Sequence, residues 1–126
     1  MAEEKTKEQR DQEQLMATMG LIINGGNAKS LAFEAIYAAK EGKFDEAQEK
    51  LKEADEALVE AHNSQTEMLA QEAAGHPVEV HLLTVHSQDH LMNAITFKDL
   101  AGEVVAIHQE LAEMKAKLVN ERDDNF

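Results

Sequence analysis

The sequence predicts an all-α protein, an antiparallel three-helix bundle, and three observations predict it. Apolar residues recur at three- and four-residue spacing along most of the chain, the mark of helices with one buried face. Composition agrees, with 43% hydrophobic and only 4% aromatic residues and long runs of Ala, Glu, Lys, Leu and Gln. Clear helix-ending signals fall at Gly42 and at Ala73-Ala74-Gly75-His76-Pro77, which divide the chain into three long segments joined by short connections. At 126 residues the chain is one domain or one subunit of a larger assembly.

Met1 to Glu13 is almost wholly polar and reads as a tail that is disordered or a frayed helical start. Leu15, Met16, Met19, Ile22 and Ile23 then open the first helix, about Gln14 to Glu41. Asn24-Gly25-Gly26-Asn27 is expected to interrupt it, because two adjacent glycines weaken the helix. The apolar pattern resumes at Leu31, Ala32, Ala35, Ile36 and Ala39. The second helix steps three, four, three, four through Phe44, Ala47, Leu51, Ala54, Leu58, Ala61, Gln65 and Met68, a repeat that implies near-parallel packing of helix axes. Gln65 is the polar residue on that line. It is open whether Gln65 and its neighbour His62 serve packing or a site. Val78 to Val85 alternates enough to allow a strand, but a lone strand has no sheet partner, so the third helix is expected to start near Val78. Its later half carries a strict stripe, Phe97, Leu100, Val104, Ile107, Leu111, Met114 and Leu118, which is expected to be the bundle seam. The expected boundaries are a tail over 1–13, a three-helix domain over 14–118 and a polar tail over 119–126. So many apolar and alanine positions give more apolar face than three helices bury among themselves, so self-association is expected.

Charge and residue usage exclude several classes. Twelve basic against 25 acidic residues give a net charge of -13, which repels nucleic acid and anionic lipid. There is no cysteine, so disulfides and thiolate chemistry are absent. No apolar run approaches the ~18 residues of a membrane span, and the N-terminal stretch lacks a signal-peptide core; a cytoplasmic location is expected. Asn24 to Asn27 lacks the lysine of a phosphate-binding loop.

His81 to Met92, HLLTVHSQDHLM, is not explained by helix building alone. On a helix, His86 lies three residues from Asp89 and four from His90, so two imidazoles and a carboxylate share one surface. The line Leu82, Val85, Asp89, Met92, Thr96 puts Asp89 where an apolar seam residue belongs, and such a carboxylate needs a partner or a metal. A zinc site on His86 and His90 lacks a fixed third ligand, and Ser87 lacks a nucleophile elbow. Isolated histidines are more often packed or surface imidazoles, the reading given to His62, His76, His81 and His108. A reactive histidine without a nearby lysine or arginine between His76 and Phe97 suits a phosphohistidine carrier, which must release its phosphate as readily as it accepts it. A helical adaptor with an inert His86 and a zinc enzyme using His86 and His90 are the competing classes.

The stretches MGLIINGGNAKSLAFEAI, EGKFDEAQEKLKEADEALVEAHNSQTEML and LLTVHSQDHLMNAITFKDLAGEVV closely resemble the enzyme IIA component of the lactose and cellobiose (chitobiose) class of the sugar phosphotransferase system. The resemblance runs from about Leu15 to Leu111. Its most specific motif, VH(A)QDHLM, stands here as Val85 to Met92 with Ser87 in place of the usual alanine. It implies phosphorylation of His86, with Gln88 close to the phosphorylated imidazole. It also implies a homotrimer in which three copies of Asp89 surround one divalent cation, magnesium, per trimer. The implied partners are the histidine-containing phosphocarrier protein, a cysteine of the IIB component and, indirectly, the IIC permease. The transported sugar, lactose, cellobiose, chitobiose or a related β-glucoside, belongs to the permease.

Overall fold

The computed structural model describes residues 4–124, which form three helices, α1 (Lys7–Lys40), α2 (Phe44–Ala73) and α3 (Leu82–Asp124). No strand occurs among the described residues. Cross-helix pairs fix the topology. Glu13 meets Gln71 while Glu34 meets Lys50, so α1 and α2 are antiparallel. Gln65 meets Gln88 while Asp55 meets Lys98, so α2 and α3 are antiparallel too. Gly25 against His90 and Phe33 against Phe97 make α1 and α3 parallel. The result is the expected up-down-up bundle.

The helix ends follow local chemistry. Thr6 and Gln9 form a capping box, with Gln9 N–H donating to Thr6 Oγ1 at 3.1 Å and Thr6 N–H donating to Gln9 Oε1 at 2.8 Å. This starts α1 at Lys7 rather than near Gln14, so residues 7–13 take the helical of the two expected alternatives; residues 1–3 lie outside the described residues. Gly42 and Gly75 take positive φ, 79° and 89°, where α1 and α2 end, as the sequence predicts. The third helix begins at Leu82 rather than Val78, and Pro77 lies in the connection before it. The side-chain amide of Gln14 holds that connection, donating to the Glu79 carbonyl at 2.7 Å and accepting from Glu79 N–H at 3.3 Å. At the other end α3 runs on through the expected polar tail to Asp124, residues 125–126 lying outside the described range.

The expected interruption at Gly25-Gly26 does not occur; α1 is one continuous helix. Gly25 is buried where α3 crosses, and a Cβ built there would stand 3.5 Å from the His90 carbonyl oxygen. The glycine therefore marks a close approach of two helices rather than a break. Gly25→Ala should be accepted, since that distance is an ordinary contact and alanine is the better helix former. Gly25→Leu should destabilise the fold by about 1–3 kcal/mol, because its branch has no room beside the α3 backbone. A thermal melt of the leucine variant equal to the parent's would show that the helices are not tightly packed there.

Periodicity identifies the helices but misplaces their inner faces. The core is lined mainly by alanine, including Ala28, Ala32, Ala35, Ala54, Ala61 and Ala94, with Leu21, Leu91 and Val105 fully buried. Small residues let the axes approach closely, and the bulky residues then point outward. On α1, Leu15, Met16, Met19 and Ile23 are exposed. On α3 the core face carries Thr84, Ser87, Leu91, Ala94, Ala101 and Val105. The expected seam residues Leu100, Ile107, Leu111, Met114 and Leu118 face away from the bundle. The α2 line holds as expected. Lys98 clamps α3 to α2 through Asp55 at 2.6 Å, and that hydrogen bond raises the ammonium above its ordinary pKa against the opposing effect of burial. Among the described residues, no helix is long and apolar enough to cross a membrane.

Candidate functional site

The first turns of α3 place the site. Thr84, Ser87 and Leu91 are buried, and at about 3.6 residues per turn His86 and Asp89 must then face outward. Ser87 is fully buried and donates its hydroxyl to the Thr84 carbonyl at 2.6 Å, so it is packed as a core residue rather than exposed as a nucleophile. The His86 and Asp89 side chains are 51% and 63% exposed. His86 Nδ1 stands 3.4 Å from Asp89 Oδ2, at the long limit of a hydrogen bond. A carboxylate can only accept there, so the neutral imidazole that satisfies the contact carries its proton on Nδ1 and presents the lone pair of Nε2 to solvent.

His90 adds a third wall. Its ring meets that of His86 edge to face, with centroids 4.8 Å apart and planes at 88°. The His90 ring is half-buried, and its Cε1 lies 3.9 Å from where a Cβ on Gly26 would stand. The two histidines and Asp89 are thus brought together as their spacing predicts.

Gln88 is not brought to His86 within the chain. It lies on the side of α3 that faces α2, where its Oε1 accepts from Gln65 Nε2 at 2.8 Å and its own amide nitrogen lies 3.9 Å from Met68 Sδ. This settles the place of Gln65, whose amide bridges α2 to the motif helix. His62 is exposed. The approach of Gln65 to Gln88 was not legible in the sequence, because spacing along one helix does not reveal which residues of another helix face it. Lys29, on α1, reaches the same flank of α3 as the histidines but sits over the Phe97 ring at 6.0 Å. Phe97 is about 16 Å further along the helix axis than His86.

Outside this cluster, Leu82, Val85, Met92, Leu100, Ile107, Leu111, Met114 and Leu118 form one exposed apolar line along α3, and Asp89 lies on it. His86 falls on the α1 side of the line and Gln88 on the α2 side. Among the described residues no group of three or more His, Cys, Asp or Glu is placed to hold a metal ion within one chain. A surface cavity of ≈ 450 Å³ lies elsewhere, lined by Lys5, Glu13, Met16 and Gln71 among others. The histidine cluster is an open, acidic-protein surface, which suits contact with another macromolecule better than enclosure of a small substrate.

Comparison with known proteins gives one answer. Residues 16–109 match the family described as the lactose/cellobiose-specific IIA subunit of the PTS system. The galactose-specific EIIA component of Lactococcus lactis subsp. cremoris is 56% identical over 99 residues, which is 79% of this chain and 85% of that protein. The crystal structure of the cellobiose-specific enzyme IIA of Bacillus anthracis superposes with a TM-score of 0.78 at 43% identity, covering 87% of this chain and 95% of that one. A solution structure of the IIA(chitobiose)–HPr complex of Escherichia coli, from its N,N'-diacetylchitobiose branch, gives a TM-score of 0.69 at 36% identity, covering 88% of this chain and 99% of that one. With the Val85–Met92 motif set on an exposed helical face, the chain belongs to the lactose/cellobiose-specific IIA family of the sugar phosphotransferase system.

Proposed function

We propose that this chain is a phosphoryl carrier that accepts phosphate on His86 from the histidine-containing phosphocarrier protein and passes it to a cysteine of a IIB component during sugar uptake. The observation that carries the proposal is the exposed His86 ring with Nδ1 turned to Asp89, which leaves Nε2 as the free nucleophile. In the forward step the Nε2 lone pair attacks phosphorus, an N–P bond forms on His86 and the N–P bond in the donor breaks. In the next step a IIB thiolate attacks the same phosphorus and the His86 N–P bond breaks, its electron pair returning to Nε2. Asp89 stabilises the proton on Nδ1 throughout, which favours release as well as uptake. The HPr complex of the E. coli relative supports the donor assignment. Cellobiose, galactose and chitobiose relatives keep the sugar class broad: lactose, cellobiose, chitobiose or a related β-glucoside, with the IIC permease coupling the final transfer to sugar uptake. The working location is the cytoplasm, where the donor protein resides.

The same reading includes a homotrimer. The exposed α3 line repeats near every three or four residues over most of the helix, the pattern of a parallel coiled seam between copies. Because His86 and Gln88 flank that line on opposite sides, a cyclic arrangement turns Gln88 of one copy toward His86 of the next. Asp89 fits an ion held between copies: each chain contributes one hard oxygen donor on the seam, as magnesium requires, and one such cation per trimer would offset three converging carboxylates.

The functional test is a two-stage transfer. Labelled phosphate should move from the phosphorylated carrier protein to this chain and leave it when IIB is added. A helical adaptor would take no label, and a zinc enzyme using His86 and His90 would instead retain zinc through purification. Gln88 is proposed to donate its amide to the phosphoryl oxygens. Gln88→Leu should slow transfer by about tenfold or more without unfolding the chain. An unchanged transfer rate would leave Gln88 with only its bond to Gln65.

A further inference from the structure

We propose that His90 is a positioning residue for His86: its ring holds the His86 imidazole in the orientation that turns Nδ1 to Asp89 and Nε2 to the reacting phosphorus. The inference rests on the phosphoryl-carrier reading and goes beyond it by giving a role to a histidine that carries no phosphate.

Three observations converge on it. The His86 side chain is half exposed and its bond to Asp89 is long, 3.4 Å, so that contact alone constrains the ring weakly. A histidine ring turns about a broad terminal torsion, and a half-turn exchanges the two edges of the imidazole. His90 supplies what is missing. Its ring stands 4.8 Å from that of His86 at 88°, the edge-to-face arrangement that aromatic pairs favour, and it blocks part of the arc through which His86 would swing. His90 is half-buried between His86 and α1, with Gly26 leaving the space beside its Cε1 open. The His90 ring therefore stands between the reactive imidazole and α1 at Gly26.

This contact acts through shape, so a phenyl ring should replace it and a methyl group should not. His90→Phe and His90→Ala are compared with the parent in full-length protein carrying ¹⁵N-labelled histidine. In the unphosphorylated parent and in His90→Phe, the His86 nitrogens should show the Nδ1–H tautomer. In His90→Ala the population of that form should fall by roughly threefold to tenfold, with the Nε2–H form appearing. Transfer from the phosphorylated carrier protein should show a matching fall in kcat with KM unchanged, since the surface that docks the donor is left in place. The phosphorylated alanine variant should carry phosphate on both ring nitrogens of His86, where the parent carries it on Nε2.

A His90→Ala protein with parent tautomer, parent kcat and phosphate on Nε2 alone overturns the inference, and so does a His90→Phe protein that behaves like the alanine variant. The tautomer signal does not depend on phosphoryl transfer. If the parent itself takes no phosphate, the carrier reading fails while the His90 contact is still decided by the nitrogen spectra.

Discussion

His86→Ala is expected to abolish phosphate uptake completely while leaving the helices and the proposed homotrimer intact. The two halves of that expectation come from different observations. The nucleophile is lost because His86 is the exposed histidine of the motif, and the other histidines of the region differ in placement rather than in lacking a lone pair. His90 packs against α1 near Gly26, and His81 Nε2 lies 3.1 Å from Glu79 in the connection before α3. The fold is retained because His86 is half exposed and lies outside the buried core. Removing a side chain so placed should change stability by no more than about 0.5 kcal/mol. The phosphate on the parent should be acid-labile and base-stable, as a phosphoramidate is. Label appearing on His90 or His81 of the variant at the parent's rate would show that the motif histidine had been misassigned.

Ile107→Glu should convert the proposed homotrimer to single chains, the second large effect. Ile107 is 55% exposed in the isolated chain and lies between Leu100 and Leu111 on the apolar line of α3. In a threefold seam each copy would bury it against two others, a gain of roughly 1.5–3 kcal/mol per side chain. The substitution removes that gain and sets three carboxylates against one another without a cation between them. Asp89→Leu should do the opposite. It replaces a carboxylate on the same line with hydrocarbon, so the assembly should persist, at least as stable as the parent's and without metal. Chelator should loosen the parent and leave Asp89→Leu unaffected. Sedimentation of the three proteins separates these outcomes. A parent that sediments as a single chain, or an Ile107→Glu variant that still assembles, would show that this line is not the interface.

Much of this molecule was legible in its sequence, and the parts that were not share a physical cause. Three helices, their order and the ends at Gly42 and Gly75 follow from periodicity and from residues that tolerate positive φ. The inner faces were misread because large apolar residues were taken for the core. In a bundle this closely packed, alanine fills the core, and Leu100, Ile107 and Leu111 are left outside. Gly25 was taken for a breaker because intrinsic propensity disfavours glycine, yet packing against α3 keeps α1 continuous through it. The start of α1 was set too late although Thr6 and Gln9 carry a capping-box pattern, which outweighed the polar character of the stretch. At the site, His86, Asp89 and His90 were legible because they lie on one helix at fixed spacing. The partnership of Gln88 with Gln65 was not, since it joins residues on separate helices.

The most direct measurement is the position of the phosphate after the chain is incubated with the phosphorylated carrier protein, read by mass spectrometry of peptides kept at alkaline pH and by nitrogen NMR of the intact protein. The account predicts one phosphate per chain, on Nε2 of His86, removed when IIB is added. Phosphate on any other residue, or none at all with a competent donor, contradicts it.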